Sequence, residues 1–72
     1  MKVFNIDANT PFQVFEPTAG IWCATACDLL YSLSPDSGNW TNKGPLDQYD
    51  NVVTNIPEGT YFKLASDCVV RY

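Results

Sequence analysis

Residues 51–72 read NVVTNIPEGTYFKLASDCVVRY, and this stretch decides the fold class. It contains three short runs rich in Val, Ile, Tyr and Phe, separated by Pro57-Glu58-Gly59 and by Ser66-Asp67. Because β-branched and aromatic residues favour strands while Pro, Gly, Asp and Ser favour turns, the pattern predicts a compact antiparallel sheet. The predicted strands cover residues 52–56, 60–65 and 68–72, and the inward positions are Phe62, Leu64 and Val70.

The first third of the chain follows the same pattern. Residues 3–6 and 12–15 are predicted strands, and the segment between them, DANTP, is rich in turn formers. The longest uninterrupted segment, residues 21–33, fits both a strand with two apolar faces and a helix with one apolar stripe. We favour the strand, because the following turn-forming residues lead directly back to Trp40 and Thr41, as in a hairpin.

Residues 42–50 contain Gly44, Pro45 and two aspartates without periodicity, so they are predicted to form a long loop. The whole chain, residues 1–72, is then one all-β domain. We expect about six or seven antiparallel strands arranged as a sandwich or small barrel.

Composition limits the function. The formal net charge is −4, and the four basic residues are spread singly, which argues against binding to nucleic acid. No segment is apolar enough for a signal peptide or a membrane span, so synthesis and retention in a cytoplasm are expected. Aromatic residues make up 14% of the chain and charged residues only 17%. Some apolar surface is therefore expected to face a neighbour, and a homo-oligomer is predicted.

With three cysteines and no His, the chain has few side chains that could form a metal site or a catalytic site. Structural zinc usually takes four Cys or His ligands, so no metal is expected. If Cys23 and Cys27 lie in one strand, their α-carbons are roughly 13 Å apart, too far for a disulfide. Pairing of either with Cys68 stays open, but buried reduced thiols are the favoured interpretation. No catalytic residue and no cofactor are predicted, because neither the thiols nor the scattered carboxylates have a visible partner group.

Three stretches carry a family resemblance: YSLSPDSGNWT at residues 31–41, IPEGTYFKLAS at 56–66 and VVRY at 69–72. Together they resemble the small β-sandwich modules of tailed-phage virion proteins, such as capsid decoration and fibre-base domains. The resemblance implies a small trimeric or multivalent protein that binds an assembled shell with other virion proteins, made in the host cytoplasm and located in the virion. It implies no catalytic residues.

Two binding hypotheses follow. In the first, the protein is a non-enzymatic virion structural or decoration protein, and Trp22, Tyr31 and Tyr72 bury apolar area against a neighbour. In the second, it is a host-directed or carbohydrate-binding module, in which Trp40 and Tyr49 stack on a sugar ring or a host protein. A hydrolase built on two carboxylates is the third and weakest hypothesis.

Overall fold

The computed structural model describes residues 1–36 and 38–72, and Ser37, within the predicted hairpin turn, lies outside the described part. Eight strands are present in that part: β1 Val3–Ile6, β2 Phe12–Val14, β3 Ala19–Cys23, β4 Cys27–Ser32, β5 Thr41–Leu46, β6 Tyr49–Val53, β7 Thr60–Leu64 and β8 Cys68–Arg71. The all-β prediction is confirmed. None of the described residues belongs to a helix that could cross a bilayer.

The strands form two four-stranded antiparallel sheets. Sheet A has the order β1-β8-β3-β6, and sheet B has the order β2-β7-β4-β5. The pairs β1 with β8, β2 with β7, β3 with β6 and β4 with β5 are nested, as if one long antiparallel ribbon were rolled up. Two four-stranded sheets in this order constitute a jelly roll, which explains why eight strands are found rather than six or seven.

The core lies between the sheets and follows from strand alternation. In β3, β7 and β8 every second residue is buried, because successive side chains of a strand point to opposite faces. The predicted inward residues Phe62, Leu64 and Val70 are all at most 2% exposed. Among the described residues, every buried side-chain nitrogen or oxygen has a hydrogen-bond partner, so the interior carries no unsatisfied polar side chain there.

Residues 21–33 are strand rather than helix, as favoured, but the prediction of one continuous strand is wrong. The segment changes sheets: β3 ends at Cys23 in sheet A and β4 begins at Cys27 in sheet B. The connection is held by the turn before β8. The Ala24 N–H donates to the Asp67 carbonyl (3.1 Å), and the Thr25 N–H donates to Ser66 Oγ (3.1 Å).

The predicted loop at residues 42–50 is also wrong, since most of it forms β5 and the start of β6. Gly44 and Pro45 are tolerated because β5 is an edge strand, where proline removes no ladder hydrogen bond that a neighbour needs. The β4–β5 register shifts next to Leu29, and Gly44 has a φ of 129°, which favours glycine. Asp28 pairs with Pro45 and is exposed, as expected for a strand position that faces solvent.

The role of burial can be tested with two identical changes. Val70 is 1% exposed in the central strand β8, whereas Val52 is 74% exposed in the edge strand β6. We expect Val70→Ala to lower the free energy of unfolding by about 2 to 3 kcal/mol, through lost apolar burial and a residual cavity. Val52→Ala should change it by less than about 0.5 kcal/mol. Urea unfolding measures both, and equal losses would contradict the assignment of inner and outer faces.

Candidate functional site

The outer face of sheet A is the candidate site. The strand registers place two rows of outward residues across this sheet: Val3, Arg71, Gly20 and Val52 in one row, and Asn5, Val69, Trp22 and Asp50 in the other. None of these residues is buried. With Tyr49, they form a surface in which apolar and aromatic side chains surround one ion pair.

Trp22 and Tyr49 form the aromatic centre of this surface. Their ring centroids are 5.7 Å apart with an interplanar angle of 26°, a stacked arrangement. Tyr49 has a φ of 73°, a left-handed conformation that is rare for a large side chain. Its register partner Cys23 is buried, yet the Tyr49 side chain is 54% exposed and lies against the outward Trp22. At this position the left-handed backbone conformation is thus found together with a side chain that points to the outer surface instead of the core.

Asn51 fixes the turn that carries Tyr49. Its Nδ2 group donates to the carbonyl oxygens of Asp47 and Tyr49, both at 2.9 Å. Its Oδ1 accepts from the Asp47 N–H, also at 2.9 Å. Since these bonds satisfy backbone groups on both sides of the turn, the half-buried Asn51 amide holds the β5–β6 connection in place.

The ion pair joins β8 to β6 across β3. Arg71 Nη2 lies 3.0 Å from Asp50 Oδ1, with the two side chains 42% and 76% exposed. A Cβ on Gly20 would lie 3.6 Å from Arg71 Nε, so the arginine side chain crosses the surface of the glycine. An exposed pair of this kind contributes only about 0 to 1 kcal/mol to stability.

The other three predicted binding aromatics lie elsewhere. The Lys63 ammonium is 4.6 Å from the Trp40 ring centroid, and the Lys43 ammonium is 5.9 Å from that of Tyr31. Both rings are thus associated with sheet B. The Tyr72 ring packs against Phe4 in a tilted arrangement, with ring centroids 5.4 Å apart. Its hydroxyl donates to the Gln13 carbonyl (3.1 Å), which ties the end of sheet A to sheet B.

The predicted binding aromatics are divided between the two sheets. Trp22 belongs to sheet A and Tyr31 to sheet B. Tyr49 and Trp40 are also associated with different sheets, because Tyr49 stacks on Trp22 whereas Trp40 lies beside Lys63 of sheet B. Val3, Val52, Val69 and Arg71 are not among the binding residues predicted from the sequence. Because side chains alternate along a strand, an inward Val70 implies that Val69 and Arg71 point outward. Their proximity to Trp22 could not be predicted from the sequence, because it depends on the non-local pairing of β8 with β3.

Two lateral clefts open between the sheets. The cleft beside β1 and β2 has a volume of about 200 Å³ and is lined by Phe4, Ile6, Phe12, Gln13, Val70 and Tyr72. The cleft beside β5 and β6 is larger, at about 350 Å³, and its lining extends from Leu29 to Asn55. Neither lining contains a carboxylate among the described residues, so the acid pair of the hydrolase hypothesis does not lie in these two clefts.

The three thiols converge at one end of the core. Cys23 and Cys68 are register partners, and both are buried. Cys27 pairs with the buried Leu46 in sheet B, so it too faces the space between the sheets, and it is only half-buried. The expected separation of roughly 13 Å assumed that Cys23 and Cys27 lie in one strand, and that assumption is wrong, because the two residues belong to different strands in different sheets.

Burial determines the acidity of two of these thiols. It raises the pKa of Cys23 to about 12, with smaller contributions from Cys27 and Cys68. Burial also raises the pKa of Cys68 to about 11, with the nearby Cys27 and Asp67 adding to the effect. All three cysteines are free, and among the described residues no group of three or more cysteine or carboxylate side chains is arranged to hold a metal ion.

No protein-family model, no curated protein and no solved structure matches this chain.

The raised pKa of Cys23 predicts a loss of stability at alkaline pH. A thiol whose pKa is higher in the folded state than its ordinary value of 9.0 favours folding below that value, and this contribution is lost as the pH rises towards about 12. The free energy of unfolding should therefore fall between these values, and it should fall less steeply in Cys23→Ala. Urea unfolding across the range measures both slopes, with Val52→Ala as a control that keeps the wild-type slope. Equal slopes in wild type and Cys23→Ala would refute the buried, protonated thiol.

Proposed function

We propose that this protein is a non-enzymatic virion structural module that docks on an assembled phage shell through the outer face of sheet A. The observation that carries this proposal is the combination of the stacked Trp22 and Tyr49 with exposed valines on one side of one sheet. A docking partner would remove these side chains from water, which is favourable at roughly 25 cal/mol per Å² of apolar area.

The residue types on this face support a docking role. Energetically dominant residues of protein interfaces are enriched in Trp, Tyr and Arg, and all three occur here as Trp22, Tyr49 and Arg71. Lysines are depleted at interface centres, and none lies in the two outward rows of sheet A. In sheet B the outward residues include Lys63, so the two faces differ in chemistry.

The sheet topology and the family resemblance both support a role on a viral capsid. Jelly rolls occur in viral capsid proteins, and the same architecture is also found in lectins and cupins. The topology is therefore compatible with a capsid protein, and the choice of that role depends on the residues of the docking face. The resemblance of residues 31–41, 56–66 and 69–72 to phage virion modules adds the assembled shell as the partner. A small trimer on that shell is the proposed assembly, because several weak sites acting together bind an ordered lattice more tightly than one.

The two tryptophans provide a matched test. Trp22 and Trp40 are both half-buried, but only Trp22 belongs to the proposed docking face. Trp22→Ala should weaken binding to assembled particles at least about 30-fold, which corresponds to the roughly 2 kcal/mol of an interface hot spot. Trp40→Ala should leave binding within about threefold of wild type. Co-sedimentation with particles purified from the source of the sequence measures the affinities.

Light scattering coupled to size exclusion supplies the second readout, since it reports the oligomeric state of each variant independently of the particles. A wild-type protein that stays monomeric at every concentration and does not sediment with particles contradicts the proposal. Equal losses of binding in the two tryptophan variants would contradict the choice of face.

A further inference from the structure

The edge of sheet A at β1 exposes backbone groups that no strand in the described part of the chain uses. Lys2 and Tyr72 exchange both backbone hydrogen bonds, at 2.7 Å from the Lys2 N–H and at 3.0 Å from the Tyr72 N–H. Because bonded pairs alternate along an antiparallel ladder, Phe4 also directs its N–H and C=O groups to β8. The N–H and C=O groups of Val3 and Asn5 therefore point away from β8, towards the free edge.

The other three sheet edges carry features that hinder the addition of a strand. β2 has only 3 residues, and the carbonyl of its central residue Gln13 accepts the Tyr72 hydroxyl. β5 contains Pro45 and pairs with a register shift, and β6 contains the charged Asp50. Short strands, proline, bulges and charges are the usual means by which edge strands avoid pairing. β1, with the sequence VFNI, contains no proline, charge or register shift.

The cleft beside β1 and β2 lies where the side chains of an added strand would point. Phe4, which is the register partner of the buried Val70, lines this cleft from β1, and Phe12 lines it from β2. A strand added to β1 would lie about 4.8 Å from it, so its alternate side chains would enter the space between the two edges. The cleft volume of about 200 Å³ is smaller than the roughly 300 to 1,000 Å³ of small-molecule pockets, and no charged residue is among those that line it. It therefore suits an apolar side chain of a polypeptide.

The geometry points to strand addition: an extended segment of the shell protein pairs with β1 as a further strand of sheet A and places an apolar side chain in this cleft. In this mode of recognition the backbone hydrogen bonds supply affinity, and the pocket for alternate side chains selects the segment. The inference rests on the proposed function, which supplies the shell as the partner.

The position of the edge favours the shell protein over a second copy. Val3 and Asn5 begin the two outward rows of sheet A, so the edge is continuous with the proposed docking face. A partner seated on that face can reach the edge at the same time. Antiparallel pairing of β1 with β1 of a second copy is two-fold symmetric and gives a dimer, which does not generate the proposed trimer.

Two substitutions at one position test the role of the free N–H. Asn5→Pro removes the N–H that faces the edge and leaves the bonds to β8 in place, whereas Asn5→Ala removes the same side chain and keeps the N–H. We expect Asn5→Pro to bind particles purified from the source of the sequence at least about tenfold more weakly than Asn5→Ala, because one backbone bond to the added strand is lost. Co-sedimentation measures both affinities, and thermal unfolding reports whether both variants are folded.

Quenched amide hydrogen exchange read by NMR tests the same point in the wild-type protein. In the free protein the Val3 and Asn5 amides should exchange faster than those of Phe4 and Ile6, which face β8. In the particle-bound protein the Val3 and Asn5 amides should become as slow as their neighbours. This measurement decides the question if Asn5→Pro proves poorly folded.

The possible failures are distinguishable. Equal affinities of the two Asn5 variants, or Val3 and Asn5 amides that stay fast in a bound wild-type protein, would overturn strand addition and leave docking through Trp22 standing. A particle-independent dimer that Asn5→Pro dissociates would make a second copy the occupant and would also overturn the inference. A wild-type protein that does not bind particles at all would overturn both the inference and the proposed function.

Discussion

The position of β8 between β1 and β3 is the constraint on which the rest of the structure depends. β8 lies in the interior of sheet A, between β1 and β3. Neither β1 nor β3 therefore has all of its backbone hydrogen-bond partners until β8 has joined the sheet. Pairings over such sequence distances close large loops, whose entropic cost is met only when the core forms. The sheet is therefore a property of the whole chain rather than of any hairpin within it.

Both notable clusters arise from the same β3–β8 pairing. On the inner side it places Cys68 opposite Cys23, and on the outer side it places Val69 opposite Trp22. One register thus generates a thiol cluster facing the core and an apolar surface facing solvent. A shift of one residue would exchange the two faces, because side chains alternate along a strand. The proposed docking face and the thiol pair of Cys23 and Cys68 therefore depend on a common structural feature but involve different chemistry.

Local turn chemistry predicted much of the fold and little of the site. Pro57, Gly59 and Asp67 mark real turns, so the strands they separate and their inward residues could be read from sequence. The sheet change at residues 24–26 is formed by Ala and Thr, which carry no turn signal, and the edge strand β5 tolerates Gly44 and Pro45 that normally indicate a loop. The Trp22–Tyr49 contact requires both the β3–β6 register and a left-handed φ at Tyr49, neither of which is encoded by a local pattern.

Hydroxyl-radical footprinting of the free and particle-bound protein tests the central claim most directly, because it reports the solvent exposure of individual side chains without changing the sequence. The account predicts that Trp22 and Tyr49 lose most of their reactivity in the bound state, while Trp40 and Tyr31 keep theirs. Protection of Trp40 and Tyr31 with unchanged reactivity at Trp22 would place the docking surface on sheet B and contradict the account.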